Sequence, residues 1–142
     1  MINSRDIEDL EPVTAGKARA FRYACHAVGI EILITCTLRD RECQVKLYAQ
    51  GRTEPGKIIT NAKPGWSFHN YGVAFDFVPI VHGKAIWDDD ALWEKCGHIA
   101  KSLGLTWGGD FRHFPDKPHM QYDNGRSIEE FLANSIAKES RL

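Results

Sequence analysis

Ser67-Phe68-His69-Asn70-Tyr71-Gly72-Val73-Ala74-Phe75-Asp76-Phe77-Val78 is the stretch that decides how this chain folds. Val73 to Val78 is apolar at every position but one, which reads as a buried strand ending near Pro79. Asp76 is the exception. An ionised carboxylate inside such a strand costs several kcal/mol unless something pairs with it, and a divalent cation is one such partner. His69 stands just before the strand, and Gly72 gives the chain the freedom to turn the ring back toward Asp76.

Working outward, His82-Gly83-Lys84 reads as a turn into a short partner strand around Ala85 to Trp87. Asp89 or Asp90 caps a helix in which Leu92, Cys96, Ile99, Ala100 and Leu103 share a face before Gly104. Leu105 to Trp107 and His119 to Tyr122 read as short strands joined by the irregular stretch Gly108 to Pro118. Ser127 with Glu130 gives a capping-box start to a last helix. Upstream, a helix is predicted over Ala15 to Val28, capped by Thr14, with Ala18, Phe21, Cys25 and Val28 on one face. A strand over Ile30 to Thr37 and a helix from Asp40 to Gln50 follow. Arg52 to Trp66, punctuated by Pro55, Gly56, Pro64 and Gly65, is a long loop of the kind that often carries function. This order predicts one α+β domain over residues 1–142, with a small mostly antiparallel sheet flanked by helices.

The 142 residues carry a formal net charge of −1, with basic residues scattered, which argues against a nucleic-acid partner. No apolar run approaches the roughly 20 residues that span a bilayer, so no stable membrane insertion is expected. The N-terminus lacks the apolar core of a secretory signal. Cys25, Cys36, Cys43 and Cys96 are widely spaced without a C-x-x-C pair, and are expected as reduced core thiols.

The second chemical stretch is Asp116-Lys117-Pro118-His119. Pro118 excludes a regular helix, so Asp116 and His119 project from a bent, extended segment. One can reach a metal while the other reaches its water. Two imidazoles and one carboxylate with an open fourth position match the ligand sets of catalytic zinc sites, and a nearby carboxylate can relay a proton to a leaving amine. Taken singly, each residue has another use: Asp76 in a structural ion pair, His69 beside a turn, Asp116 as a turn cap. His113 competes as a ligand or substrate contact, whereas His26, His82 and His98 read as structural or exposed.

The pattern Ser67-x-His69-x-x-Gly72-x-Ala74-x-Asp76, then Trp107-Gly108-Gly109-Asp110 and Asp116-x-x-His119, resembles the zinc D-alanyl-D-alanine carboxypeptidase family. Arg39, Gln44 and Leu47-Tyr48-x-Gln50-Gly51-Arg52-Thr53 are similar to its subgroup of L-alanyl-D-glutamate peptidases, used as phage endolysins. The resemblance implies a hedgehog and DD-peptidase type of fold, zinc held by His69, Asp76 and His119, and Asp116 as general base. Arg39 then stabilises the oxyanion, with Ser67 and Gln44 positioning substrate or the ligand loop. Leu38 departs from the family's usual aromatic before the arginine. Some endolysin relatives also bind calcium, for which Asp88-Asp89-Asp90 offers oxygens, although helix capping explains that run more simply.

The implied function is hydrolysis of the L-alanyl-D-glutamate bond of peptidoglycan stem peptides, leading to host lysis. The implied enzyme is a monomer without a separate wall-binding domain, made in the host cytoplasm and reaching the periplasmic wall through a membrane lesion. Rival readings are a D-alanyl-D-alanine dipeptidase or carboxypeptidase, and a non-catalytic zinc-stabilised binding module.

Overall fold

The computed structural model describes residues 1–140, so positions 141 and 142 of the expected domain lie outside the described residues. It contains helices α1 (Pro12–Ala27), α2 (Arg41–Ala49), α3 (Asp90–Ser102) and α4 (Ile128–Ser140), and strands β1 (Glu31–Cys36), β2 (Ala74–Val81), β3 (Lys84–Ala85), β4 (Thr106–Trp107) and β5 (His119–Gln121). The strands form one sheet in the order β1-β2-β5-β4, with β3 hairpinned onto the far end of β2. Every pairing is antiparallel. The expected α+β architecture is the one observed. None of the described helices is long and apolar enough to cross a membrane.

Local chemistry sets most boundaries. Asp40 caps α2 by accepting from Cys43 N at 2.8 Å, and Asp89 caps α3 by accepting from Leu92 N at 3.1 Å. Ser127 accepts from Glu130 N at 3.2 Å at the start of α4. The first helix corrects the sequence reading. It begins at Pro12 because the Glu11 carboxylate accepts from both Val13 N and Thr14 N, and proline suits the first helical position. Thr14, expected as the cap, is buried in the first turn and donates its hydroxyl to Glu11 at 2.9 Å. Val28, expected on the buried face, follows the helix and is exposed. Strand β2 also outruns its expected end at Val78, because Ile80 and Val81 pair with β3 and Ile80 also pairs with Glu31 of β1.

The faces of β2 divide the molecule's labour. Phe75 and Phe77 point into a core that also holds Phe21, Trp93, Trp107 and Met120, all essentially without exposure. Phe77 meets Phe21 and Trp93 edge-on, with ring centroids 5.0 and 5.3 Å apart. Asp76 lies between those two phenylalanines and so faces the other way. All four cysteines are free and buried, in keeping with the sequence expectation.

Candidate active site

The register of the sheet brings Asp76 opposite His119, with Cys36 of β1 on the other side of Asp76. Residues paired across antiparallel strands project to one face, so β2 and β5 deliver a carboxylate and an imidazole to one point. His69 arrives from a short 3-10 turn, Phe68–Tyr71, that precedes β2. Ser67 and Asn70 close that turn as a reciprocal cap, and Gly72 ends it at φ +70°, where a side chain would be strained. His69 Nε2 then stands 3.2 Å from Asp76 Oδ1, and His119 Nδ1 stands 3.4 Å from the same oxygen.

The outward ring nitrogens are already engaged. His69 Nδ1 donates to the Thr37 carbonyl at 2.9 Å, and His119 Nε2 donates to Gln121 Oε1 at 2.8 Å. With those outward N–H groups bonded away, each ring in its neutral form can present its inward nitrogen, Nε2 of His69 or Nδ1 of His119, to a cation seated against Asp76. Imidazoles oriented by a carbonyl and a carboxamide are what a metal-ligating pair requires. Two nitrogens of buried imidazoles and one oxygen of a half-buried carboxylate, at the foot of a cleft, fit a zinc ion.

The electrostatics of the cation-free site agree. Burial pulls the Asp76 carboxyl upward, but hydrogen bonds from His119 and His69 outweigh it and hold the group well below the usual carboxylate range. Burial disfavours a charged His69, yet Asp76 and then Cys36 push its pKa up to about 10. The pocket therefore calls for positive charge beside Asp76, and without a metal a proton supplies it.

Cys36 is the neighbour that sequence reasoning treated as an ordinary core thiol. Its Sγ lies 3.7 Å from His69 Nδ1 and accepts from Arg39 Nη2 at 3.4 Å. It groups with His69 and Asp76 as a possible donor set. However, it meets His69 on the nitrogen whose proton goes to Thr37, whereas His69 Nε2 and His119 Nδ1 share one oxygen of Asp76. The sulfur therefore acts as a contact behind the ligand.

Asp116 lies three residues before His119 and opens to the cleft. Its backbone N–H donates to Gly108 O at 2.8 Å, and its carbonyl accepts from His119 N at 3.1 Å. Trp107 Nε1 steadies the same bend by donating to Lys117 O at 2.8 Å. A Cβ on Gly108 would stand 2.2 Å from Asp116 O and 2.9 Å from His119 Cβ, so only glycine lets this segment close down. Partial withdrawal from water raises the Asp116 pKa, with Asp76 adding to the effect and His119, His69 and Arg39 opposing it. That shift moves a carboxylate toward the range useful to a general base.

Arg39 approaches from the loop after β1. Its Nη1 donates to Gln44 Oε1 at 3.1 Å, its backbone N–H donates to His69 O at 3.1 Å, and its Nε is buried without a partner among the described residues. Gln44 is fully buried. Its Nε2 donates to Ala62 O at 2.8 Å, so it braces Arg39 against the loop wall and does not reach the cleft. Ser67 and His113 do line the cleft, which encloses about 640 Å³ between Ile59–Ala62 on one side and Phe111, His113 and Phe114 on the other. The acidic run lies elsewhere. Asp89 caps α3 and Asp90 pairs with Lys117.

A carboxylate and a guanidinium flanking a three-donor metal pocket define a site suited to metal-assisted hydrolysis. The sequence signature of the D-alanyl-D-alanine carboxypeptidase family matches residues 60–122. The chain is 40% identical over 122 residues to the peptidoglycan L-alanyl-D-glutamate endopeptidase CwlK of Bacillus subtilis (strain 168), covering 80% of this chain and 73% of that protein. It is 33% identical over 122 residues to the L-alanyl-D-glutamate peptidase of Listeria phage A118, covering 83% of this chain and 40% of that protein. The fold matches the crystal structure of the Serratia marcescens L-Ala D-Glu endopeptidase ChiX at a TM-score of 0.62 and 18% identity, over 92% of each chain. The chain belongs to the D-alanyl-D-alanine carboxypeptidase family of metallopeptidases.

Proposed function

We propose that this protein is a zinc endopeptidase that hydrolyses the L-alanyl-D-glutamate amide of peptidoglycan stem peptides. The observation that carries the reading is the sharing of Asp76 Oδ1 by His69 and His119, whose far nitrogens are bonded away, with Asp116 and Arg39 beside them. The names of the Bacillus and phage relatives support the choice of bond.

His69, Asp76 and His119 would hold a zinc ion, which would supply Lewis acidity to the reaction. Asp116, basic enough through its raised pKa, takes a proton from the attacking water and delivers it to the leaving amine of D-glutamate. Arg39, its guanidinium anchored by Gln44 and Cys36, donates to the carbonyl oxygen as negative charge develops there. Ser67 keeps the His69 turn in place, and His113 contacts substrate from the opposite wall.

The biological setting belongs to the same proposal. One setting is an endolysin made in the cytoplasm that meets the wall after a membrane lesion, for which the phage origin of one relative speaks; the other is a bacterium's own peptidoglycan enzyme, for which the Bacillus relative speaks. Expression in a bacterial cytoplasm with and without a membrane-permeabilising partner separates the two, since a lysin clears the culture only with the partner. The enzymatic test is digestion of purified peptidoglycan with mass spectrometry of the released ends. New N-terminal D-glutamate, lost on chelation and restored by zinc, is expected. Released D-alanine would overturn the choice of bond.

A further inference from the structure

The catalytic cleft does not end at its loop wall. Asn61 and Ala62 line both the cleft and a neighbouring shallow depression of about 540 Å³, which is completed by Lys63 and Trp66. Trp66 stands between the two cavities and lines each of them. It is 42% exposed, which is high for an indole. Asn61, Lys63 and Trp66 are all exposed where they line this depression. The depression thus brings an open indole face together with an amide and an ammonium that can donate hydrogen bonds.

The shape and chemistry select a ligand class. The depression is an open one, and its lining joins the indole of Trp66 to the polar side chains of Asn61 and Lys63. A pyranose ring has the complementary form, a flat C–H face that stacks on an indole and a rim of hydroxyl and acetamido groups that take hydrogen bonds. In a peptidoglycan stem, the amino group of L-alanine is acylated by the lactyl group of an N-acetylated amino sugar. The sugar is therefore covalently next to the dipeptide that the cleft would cut.

We infer that Asn61, Lys63 and Trp66 form a saccharide subsite that holds the amino sugar of the glycan strand while its stem peptide occupies the adjoining cleft. The inference rests on the proposed peptidase reading. In it Trp66 stacks on the ring, and Asn61 and Lys63 donate to oxygens at its edge. The subsite gives the enzyme a preference for glycan-linked stems over free peptide, without any group at the metal changing.

The test uses the zinc-loaded full chain and Trp66→Ala on two substrates, a disaccharide-tetrapeptide and the same tetrapeptide without sugar. Trp66→Ala is expected to raise KM on the disaccharide substrate about tenfold more than on the free peptide, the loss of one good stacking contact. A companion titration adds peptide-free glycan fragments to the metal-free protein and follows the indole N–H resonance of Trp66, which is expected to shift. Equal effects on both substrates, or no effect on either, would overturn the subsite. Cleavage of both substrates without a glycan-induced shift would sink it and leave the peptidase intact. A shift of Trp66 in a protein that cleaves neither substrate would support the saccharide site and remove the peptidase reading.

Discussion

The metal pocket and the cleft walls are built by opposite means. The pocket is assembled on β2, β5 and the capped turn before β2, its two imidazoles are buried, and each is oriented by a second bond to Thr37 or Gln121. The walls are loops. Residues 52–66 contain no helix or strand, and residues 111–118 carry an exposed Phe114 at φ +56°, an uncommon value for a bulky residue. Asp116 and His113 come from the second of these loops. The proposed metal donors thus rest on the sheet and its adjoining turn, while the proposed base and the cleft walls belong to segments that a few backbone bonds keep in place. Substitutions in the two regions should fail in different ways.

The largest effect is expected from removing the base. Asp116→Ala should lower kcat on purified stem peptide by about 10²- to 10⁴-fold, the usual worth of a positioned acid–base group. Zinc should remain bound at one ion per chain, measured by elemental analysis after dialysis. If zinc is lost together with activity, the separation between sheet and loop breaks down.

Arg39→Ala comes next. It removes a donor to the developing oxyanion, and a loss of about 10²- to 10³-fold in kcat is expected, with KM little changed. Because Gln44 and Cys36 anchor the guanidinium, Gln44→Leu should reproduce part of that loss while leaving zinc in place. An unchanged kcat in both variants would show that Arg39 serves only the fold.

On the sheet side, Gln121→Leu cuts the bond that orients His119 without touching a ligand. Zinc affinity should fall about 10- to 100-fold, as such supporting bonds typically require. A competitive titration against a chelator reads this directly. Activity at saturating zinc should recover, in contrast to Asp116→Ala.

These two regions were not equally legible in the sequence. The strand carrying Asp76 announced itself, because one charge in an apolar run demands a partner, and the motif order named His69 and His119 with it. Helix starts at Asp40, Asp89 and Ser127 were visible as caps, since capping depends on residues a few positions apart. What lay hidden depended on distant chain. Thr37 and Cys36 reach His69 only because β1 pairs with β2, and Gly108 matters only because the 116–119 segment folds back over it. Gln121 was the accessible omission. It follows His119 by two residues, so strand alternation already placed both side chains on one face. Gln44, read as positioning substrate or the ligand loop, is buried by the loop at Thr60–Ala62 and braces Arg39, a placement that no local pattern forecasts.

The smallest expected effect sharpens the comparison from the side of stability. The pKa of Asp116 is raised in the folded chain, chiefly by burial. Between its unfolded and folded values, the native state therefore binds more protons than the unfolded state, and stability falls as pH rises through that window. Below the ordinary aspartate value of about 4 the cost is absent, and above the folded value it is complete. Asp116→Asn removes it. In metal-free protein, the variant should match the wild type near the bottom of that window and melt slightly higher at neutral pH, by a small margin because the carboxylate opens to solvent. Melting curves across that range check the sign. A variant less stable than the wild type at neutral pH would mean that the Asp116 carboxylate holds its loop together, and that the cleft wall is no more expendable to the fold than the sheet beneath it.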